Sequence, residues 1–462
     1  MQSFNDFTPA HDGGAIYQQL ADEIERRVTV GQLKPGEHLP PQREFARILG
    51  VNLTTITRAF ATLQRRGVVA SRPGRGSVVT GLAEELAFVS APEREPGLID
   101  LSVNRPATTD YLEALARFLP KLPKDPRYAD LQDFHAPEGP SWAREAVATW
   151  LEPVLGERDP GRIVIAQGAQ SALSSVFGAI ARPGDVVLAD AVTYQGMTAL
   201  CRTLNLVLQP VEMDQDGLRP DALENACNEH RPRALFVVPC LQNPTAITMT
   251  LERRGHISEI ARRHDLLIVE DDVYRPLVSD APPAFARICP ERTVYVTGMS
   301  KTVAPGLRFG VAIAPTALVG DIAAMQRVAC WSIAPLTALV ATRLIEDGTL
   351  DQIVAAQTGE LRARQLLLQE ALAGFDFQSG EASPHAWIKL PSPWRANAFA
   401  AVARTQGVAV MAAEAFAIGQ HAAPHAVRVN LAAARSRSDL QRALEVLVQV
   451  MKSGERHVPS LV

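Results

Sequence analysis

The stretch MSKTVAPGLRFG, residues 299–310, decides how the larger part of this chain is read. It follows TVYVTG (293–298), an apolar, β-branched run with the character of a buried strand. Ser300 and Lys301 therefore fall in the loop at a strand's end, and Arg308 follows in the same loop. A lysine amine can condense with a carbonyl carbon, while a hydroxyl and a guanidinium beside it suit an anion.

The same placement recurs on either side. EDDVY (270–274) closes the run LLIVED with Asp271 and Tyr274, and QNPTA (242–246) follows ALFVVP with Asn243. IAQGAQSAL (165–173) carries a strand into a helix through Gly168, Ala169 and Gln170, and the free N–H groups of that helix start would cradle a phosphate. Open parallel sheets hold ligands in the loops after their strands. RIVIAQ, DVVLAD, LVLQPVEM, ALFVVP, LLIVED, TVYVTG and FGVAIAP alternate with helical stretches, which predicts βαβ units and a largely parallel sheet. From about Glu346 a long helix is expected (Gln352 to Leu372), then WIKLP, VAVMA and AVRVNLA, a smaller α+β subdomain.

In this order and context the motifs resemble the fold-type I, class I/II aminotransferases, and the set suits capture of pyridoxal 5'-phosphate (PLP). By that resemblance Lys301 holds the cofactor as an internal aldimine and exchanges it for an incoming amine. Asp271 pairs with the pyridinium nitrogen, and Tyr274 and Asn243 hydrogen-bond the phenolic oxygen. Ser300 and Arg308 bind the phosphate together with the Ala169 and Gln170 end of the helix, and Tyr194 in DAVTYQG stacks on the ring. Lys301, Tyr274 and Asp271 are the catalytic candidates. Arg428 in AVRVNLA stands where the family takes the substrate α-carboxylate, a bidentate task suited to guanidinium. Three positions depart from the pattern. Gly298 stands where the family usually has Ser or Thr, Phe134 in FHAPEG where a tyrosine of a partner subunit would donate to the phosphate, and Ala413 where a glycine is usual. The first two should weaken cofactor retention.

The N-terminal end reads differently. From Ala15 to Thr80 there are ten Lys or Arg against five Asp or Glu, so a chain of net charge -4 is basic here, and a polyanion partner is the candidate. Ile16, Leu20, Ile24 and Val28 form a period-four stripe, predicting an amphipathic helix that ends near Gly31. LKPGEHLP reads as a turn, Pro41 to Leu49 as a short helix stopped at Gly50, and Thr54 to Arg66 as a second helix entered through Asn52 or Thr54 as cap. VVASRPGRGSVVT then makes a hairpin with a basic tip. Helix, glycine turn, helix and wing describe a winged helix-turn-helix whose second helix enters the DNA major groove. The run LPPQREFARILGVNLTTITRAFATLQRRGVVASRPGRGSVV (39–79) resembles the DNA-binding domain of the GntR regulators. The resemblance implies that Arg43, Thr54, Thr55 and Arg58 contact phosphates or base edges, and that Arg72 and Arg75 reach the duplex from the wing. Pro41 replaces the family's usual capping serine, and proline fits a first helical turn.

The rest of the sequence bounds the reading. Hydrophobic residues make up 47% and charged residues 21%, so no disorder class applies. Cys201, Cys227, Cys240, Cys289 and Cys330 are scattered without CxxC spacing, which argues against a disulfide framework and a metal site and for a reducing cytoplasm. No export signal or membrane span is apparent. The expected division is a winged helix over 12–80, a linker over 81–99 (rich in Pro and Glu), an α/β large domain over 100–345 and the small subdomain over 346–456.

A winged helix of this kind joined to an aminotransferase-like domain resembles the MocR-type regulators of the GntR family. That implies a homodimer, head-to-tail, that binds operator DNA and responds to PLP and to an amino compound forming an external aldimine. Two alternatives remain open at this point: an active aminotransferase carrying a DNA-binding domain, and a regulator sensing PLP itself to control vitamin B6 supply.

Overall fold

The computed structural model describes residues 15–29, 32–34, 37–65, 68–72, 76–79, 95–419 and 421–454; the side chains of 29, 65 and 70–72 are not among them. The N-terminal and C-terminal parts are taken separately.

In the N-terminal part, helix α1 (Ile16–Thr29) buries Leu20 and Ile24, one helical turn apart, while Ile16 at its start is exposed. The expected stop at Gly31 lies outside the described residues. Helix α2 (Gln42–Leu49) begins after Pro41, whose φ of -52° and ψ of 139° place it before the helix and not in its first turn; no side chain caps this end. Gly50 ends α2 with φ 62°, a left-handed conformation that costs glycine nothing. Helix α3 (Leu53–Arg65) is capped by Asn52, whose Oδ1 accepts from the Thr54 N–H at 3.0 Å. Phe45 of α2 meets Phe60 of α3 edge-on at 5.7 Å, both fully buried, each such ring contributing about 1.5–3 kcal/mol through burial. The segment read as a plain turn holds a short strand, β1 (His38–Leu39). It pairs antiparallel with β3 (Gly76–Val79), which pairs in turn with β2 (Val69–Arg72). The wing is thus a three-stranded sheet. Arg75, expected at its tip, lies outside the described residues, as does the linker from 81 to 94.

The described residues resume at 95, inside what the sequence suggested was linker. Strand β4 (Ile99–Asp100) pairs parallel with β16 (Val408–Ala409), far along the chain. Leu101 is fully buried in the same core as Val408 and Phe399, so residues 99–101 pack with the small subdomain. The periodicity of so short a strand is not legible, and its partner lies some 300 residues away.

The large sheet has seven strands: β5 (Ile163–Ala166), β6 (Val186–Asp190), β7 (Val207–Val211), β10 (Ala234–Val237), β11 (Leu267–Asp271), β12 (Thr293–Gly298) and β13 (Gly310–Ile313). They lie in the order β5, β13, β12, β11, β10, β6, β7. The pairs β6–β10, β10–β11 and β11–β12 are parallel, and β13 runs antiparallel to both β12 and β5. A hairpin of β8 (Met213–Asp214) and β9 (Gly217–Leu218) follows β7. Strands β5, β10, β12 and β13 are buried at every position, which is why they read as continuous apolar runs. The long helix runs from Thr349 to Ala371 and precedes the small antiparallel sheet of β14 (Phe377–Gln378), β15 (His385–Lys389), β17 (Met411–Ala412) and β18 (Ala426–Asn430). The run VAVMA, expected as one strand, divides at Val410 between β16 and β17, which belong to different sheets.

Candidate functional site

The loops after β5, β6, β10, β11 and β12 converge on one cleft of about 590 Å³, open solvent included. Its lining contains all nine candidate cofactor residues: Ala169, Gln170, Tyr194, Asn243, Asp271, Tyr274, Ser300, Lys301 and Arg308. Arg428 is not in the lining. It lies behind Asn243, whose Oδ1 accepts from its Nη1 at 2.8 Å.

One end of the cleft is built for an anion. Gly168, with φ 89°, precedes the helix Ala169–Ile180, whose first N–H groups have no acceptor within the helix. Arg308, itself at φ 52°, donates from Nη2 to the Gln167 carbonyl at 2.9 Å. A Cβ on Gly168 would stand 2.5 Å from that Nη2. Ser300 Oγ is buried without a partner among the described residues. Gly298 abuts the Phe309 carbonyl so closely that a Cβ would lie 2.8 Å from it, leaving no room for the Ser or Thr that the resemblance led one to expect there. Thr297 beside it is buried and donates to the Asp272 carbonyl, so it supplies no replacement.

At the other end stand the titratable groups. Asp271 is 5% exposed and its Oδ1 has no partner among the described residues. Burial, then the charge of Asp272, push its carboxyl up to about 7; the Val273 N–H and Lys301 oppose this. Lys301 is less open than a loop lysine suggests. Its Nζ donates to the Asn104 carbonyl at 3.1 Å, and burial followed by Arg428 pushes the amine down to about 8. An amine so lowered has a sizeable unprotonated fraction near neutrality, as a nucleophile needs. Tyr274 is buried, its hydroxyl accepts from Asn104 Nδ2 at 2.5 Å, and its ring packs edge-on against His385 at 5.4 Å. Burial raises Tyr194 to about 12, so it is a neutral ring at any ordinary pH. Arg428 is 2% exposed, donates to the Ser102 carbonyl, lies 4.9 Å over the Phe416 ring, and has no partner for Nε among the described residues.

Asn104, Ser102 and His385 were not apparent in the sequence. SVNRP looks like ordinary turn chemistry, and only tertiary contacts bring it to residues some 170 and more positions away.

His385 yields a pH test. Its Nε2 must carry the proton it donates to the Gln242 carbonyl at 3.0 Å, and burial, then Arg428, push the imidazole down from 6.5 to about 3. Between these values the unfolded chain binds a proton that the folded chain refuses. This contribution is therefore fully present above 6.5 and lost on acidification toward 3, at up to about 1.4 kcal/mol per pH unit. His385→Gln should flatten the acid limb of stability against pH in urea unfolding; an unchanged limb would assign the acid lability elsewhere.

In the N-terminal part, Arg43, Thr54 and Arg58 are exposed and Thr55 is half-buried. The open face of α3 runs through Thr54, Thr57 and Arg58, and Thr57 Oγ1 ties it to Gln42 of α2 at 3.1 Å. Thr57 is thus a surface candidate that the motif did not single out. Arg72 lies in β2, its side chain outside the described residues, and Phe134 is 86% exposed, its ring tilted against Trp331 at 5.2 Å and absent from the cleft of its own chain. No helix of the described residues is long and apolar enough to cross a membrane.

Comparison with known proteins agrees with both parts. Residues 96–447 match the family "Aminotransferase class I and II", and residues 16–79 match "Bacterial regulatory proteins, gntR family". The uncharacterized HTH-type transcriptional regulator YdeF of Bacillus subtilis is 27% identical, over 94% of each chain. The vitamin B6 salvage pathway transcriptional repressor PtsJ of Salmonella typhimurium is 27% identical, over 90% of this chain and 94% of its own. Among solved structures, a multiple substrate aminotransferase from Thermococcus profundus superposes with a TM-score of 0.72 at 22% identity, over 82% of this chain and 96% of that one. Fold and motifs together define a DNA-reading winged helix carried on an aminotransferase-fold domain. The chain belongs to the aminotransferase class I and II family and, by its gntR-family reader, to the MocR-type transcriptional regulators.

Proposed function

We propose that this protein is a PLP-dependent transcriptional regulator whose cofactor is anchored at Lys301 and whose operator affinity responds to an amino compound. The observation that carries the reading is the unpartnered carboxylate oxygen of buried Asp271 in the same cleft as the lowered amine of Lys301, with Ser300, Arg308 and a helix start at the anion end. These groups fit PLP in charge and kind. Bound there, PLP supplies an aldehyde carbon that exchanges amines and a pyridinium ring that spreads negative charge.

The residues divide the work. Asp271 holds a proton at the ring nitrogen, a task suited to a carboxyl that titrates near neutrality. Ser300, Arg308 and the N–H groups of Ala169 and Gln170 receive the phosphate. Tyr274 and Asn243 donate to the phenolic oxygen; Asn243 has its Oδ1 on Arg428, which leaves its amide hydrogens for that role. Tyr194 covers the ring. Arg428 receives a ligand carboxylate once the Ser102 carbonyl gives way. Arg43, Thr54, Thr55 and Arg58 face the operator, with Arg72 and Arg75 on the wing. The working unit is a cytoplasmic homodimer, head-to-tail, without productive turnover. A ligand shifts operator affinity only by its difference in affinity between two arrangements of the readers.

A second reading, a sensor of PLP itself that controls vitamin B6 supply, draws support from the name of PtsJ and from Arg428, both of whose terminal nitrogens are already bonded. Titrating the PLP-loaded protein with amino compounds, while following its visible band and operator affinity, separates the two. Changes on adding amino acid support the first; a dependence on PLP alone supports the second. Steady conversion of a keto acid to an amino acid would instead mean an active aminotransferase.

Arg43→Ala or Arg58→Ala should weaken operator binding by roughly 1–3 kcal/mol where a base contact is lost, with the visible band unchanged. Loss of both signals would contradict the division into modules.

A further inference from the structure

Asn104 grips the two groups on which the cofactor reading depends. Its side-chain amide donates to the Tyr274 hydroxyl at 2.5 Å, and its main-chain carbonyl accepts from Lys301 Nζ at 3.1 Å. A phenolic hydroxyl has one hydrogen to give and also accepts. With Asn104 donating into it, the Tyr274 oxygen must turn its own hydrogen elsewhere, and Tyr274 lines the cleft. Chained donors also strengthen one another in a buried setting. We propose that Asn104 is a positioning residue of this site, aiming the Tyr274 hydrogen into the cleft so that it is donated to a ligand's phenolic oxygen. The proposal rests on the PLP reading above.

The charged and titratable groups around the pair are Asp271, Arg308, Arg428 and His385 about Lys301, and Asp271, Arg428, Tyr194 and His385 about Tyr274. None of them donates to the Tyr274 hydroxyl among the described residues, so Asn104 is the group whose removal frees that hydrogen to turn. A phenolic oxygen that loses the Tyr274 donor keeps more negative charge, which holds the proton on the nitrogen linking cofactor to Lys301. The pH at which the visible band changes must then rise.

The experiment loads the full-length protein with PLP and follows that band against pH in Asn104→Ala, Tyr274→Phe and the double variant. Asn104→Ala should raise the midpoint. In the Tyr274→Phe background it should add little, because its effect passes through the missing hydroxyl. No shift in Asn104→Ala, or equal shifts in both backgrounds, would overturn the proposal. If Asn104→Ala proves unstable, Asn104→Asp, of nearly the same shape but accepting where Asn donates, stands in for it. Its midpoint should rise with Tyr274 present and rise less in the Tyr274→Phe background, whereas a wild-type midpoint would mean that Asn104 only fills space. Borohydride keeps this test separate from the reading beneath it: if it fixes no PLP to the unaltered protein, the Lys301 reading fails, whereas fixation with an unmoved band refutes Asn104 alone.

Discussion

Lys301→Ala is expected to abolish all borohydride-stable attachment of PLP, since Lys301 is the one lysine among the described residues that lines the cleft. The fold should survive. The variant leaves the Asn104 carbonyl without its donor, a cost of about 1–3 kcal/mol, but it also removes an amine that burial had already pushed down to about 8, which offsets part of that cost. Mass spectrometry after reduction checks the outcome: a PLP adduct on the variant would move the anchor to another residue, and an adduct-free variant that still reads operator DNA would show that the loss is confined to the site.

Gly310→Ala should be the most damaging small substitution near the site. A Cβ there would overlap the Gly168 carbonyl carbon and the Ala169 nitrogen and stand 2.8 Å from the Gly168 Cα, all main-chain atoms. Gly310 pairs with Ala166 of β5 on one side and Gly298 of β12 on the other, so neither neighbour can move without disturbing a strand of the large sheet. Overpacking of this kind costs about 1–3 kcal/mol, and here it also displaces the helix start proposed to receive the phosphate. Urea unfolding of the C-terminal part and PLP retention should both fall. Gly306→Ala is the matching control, because nothing lies within 4 Å of its added Cβ. Equal behaviour of the two variants would refute the close approach of β13 to the anion end.

Much of this was legible in the chain. The seven apolar runs became the seven strands of the large sheet; β5, β10, β12 and β13 are covered on both faces and so must be apolar throughout, and the loops after five of the seven strands carry the cleft residues because open sheets hold ligands at their strand ends. Asn52 and Gly50 marked helix ends through capping and left-handed geometry that act within a few residues. Short-range signals of this kind survive in sequence because their causes are local.

Other features had no local cause. Strand β4 exists by pairing with β16, β1 by pairing with β3, and the run VAVMA divides because its two halves find partners in different sheets. Pro41 sits ahead of its helix because an extended residue is needed to join it to β1. Gly298 looked like a lost phosphate ligand, and only the approach of the Phe309 carbonyl gives a steric reason for glycine there. The sequence alone determined the two modules, the order of the strands' loops and the residues that gather at their ends. The tertiary structure alone decided that Lys301 is shielded, that Arg428 is held by Asn243 and Ser102, and that Asn104 reaches Tyr274, because burial and hydrogen bonding between residues so far apart in the chain are set by packing and leave no periodic trace.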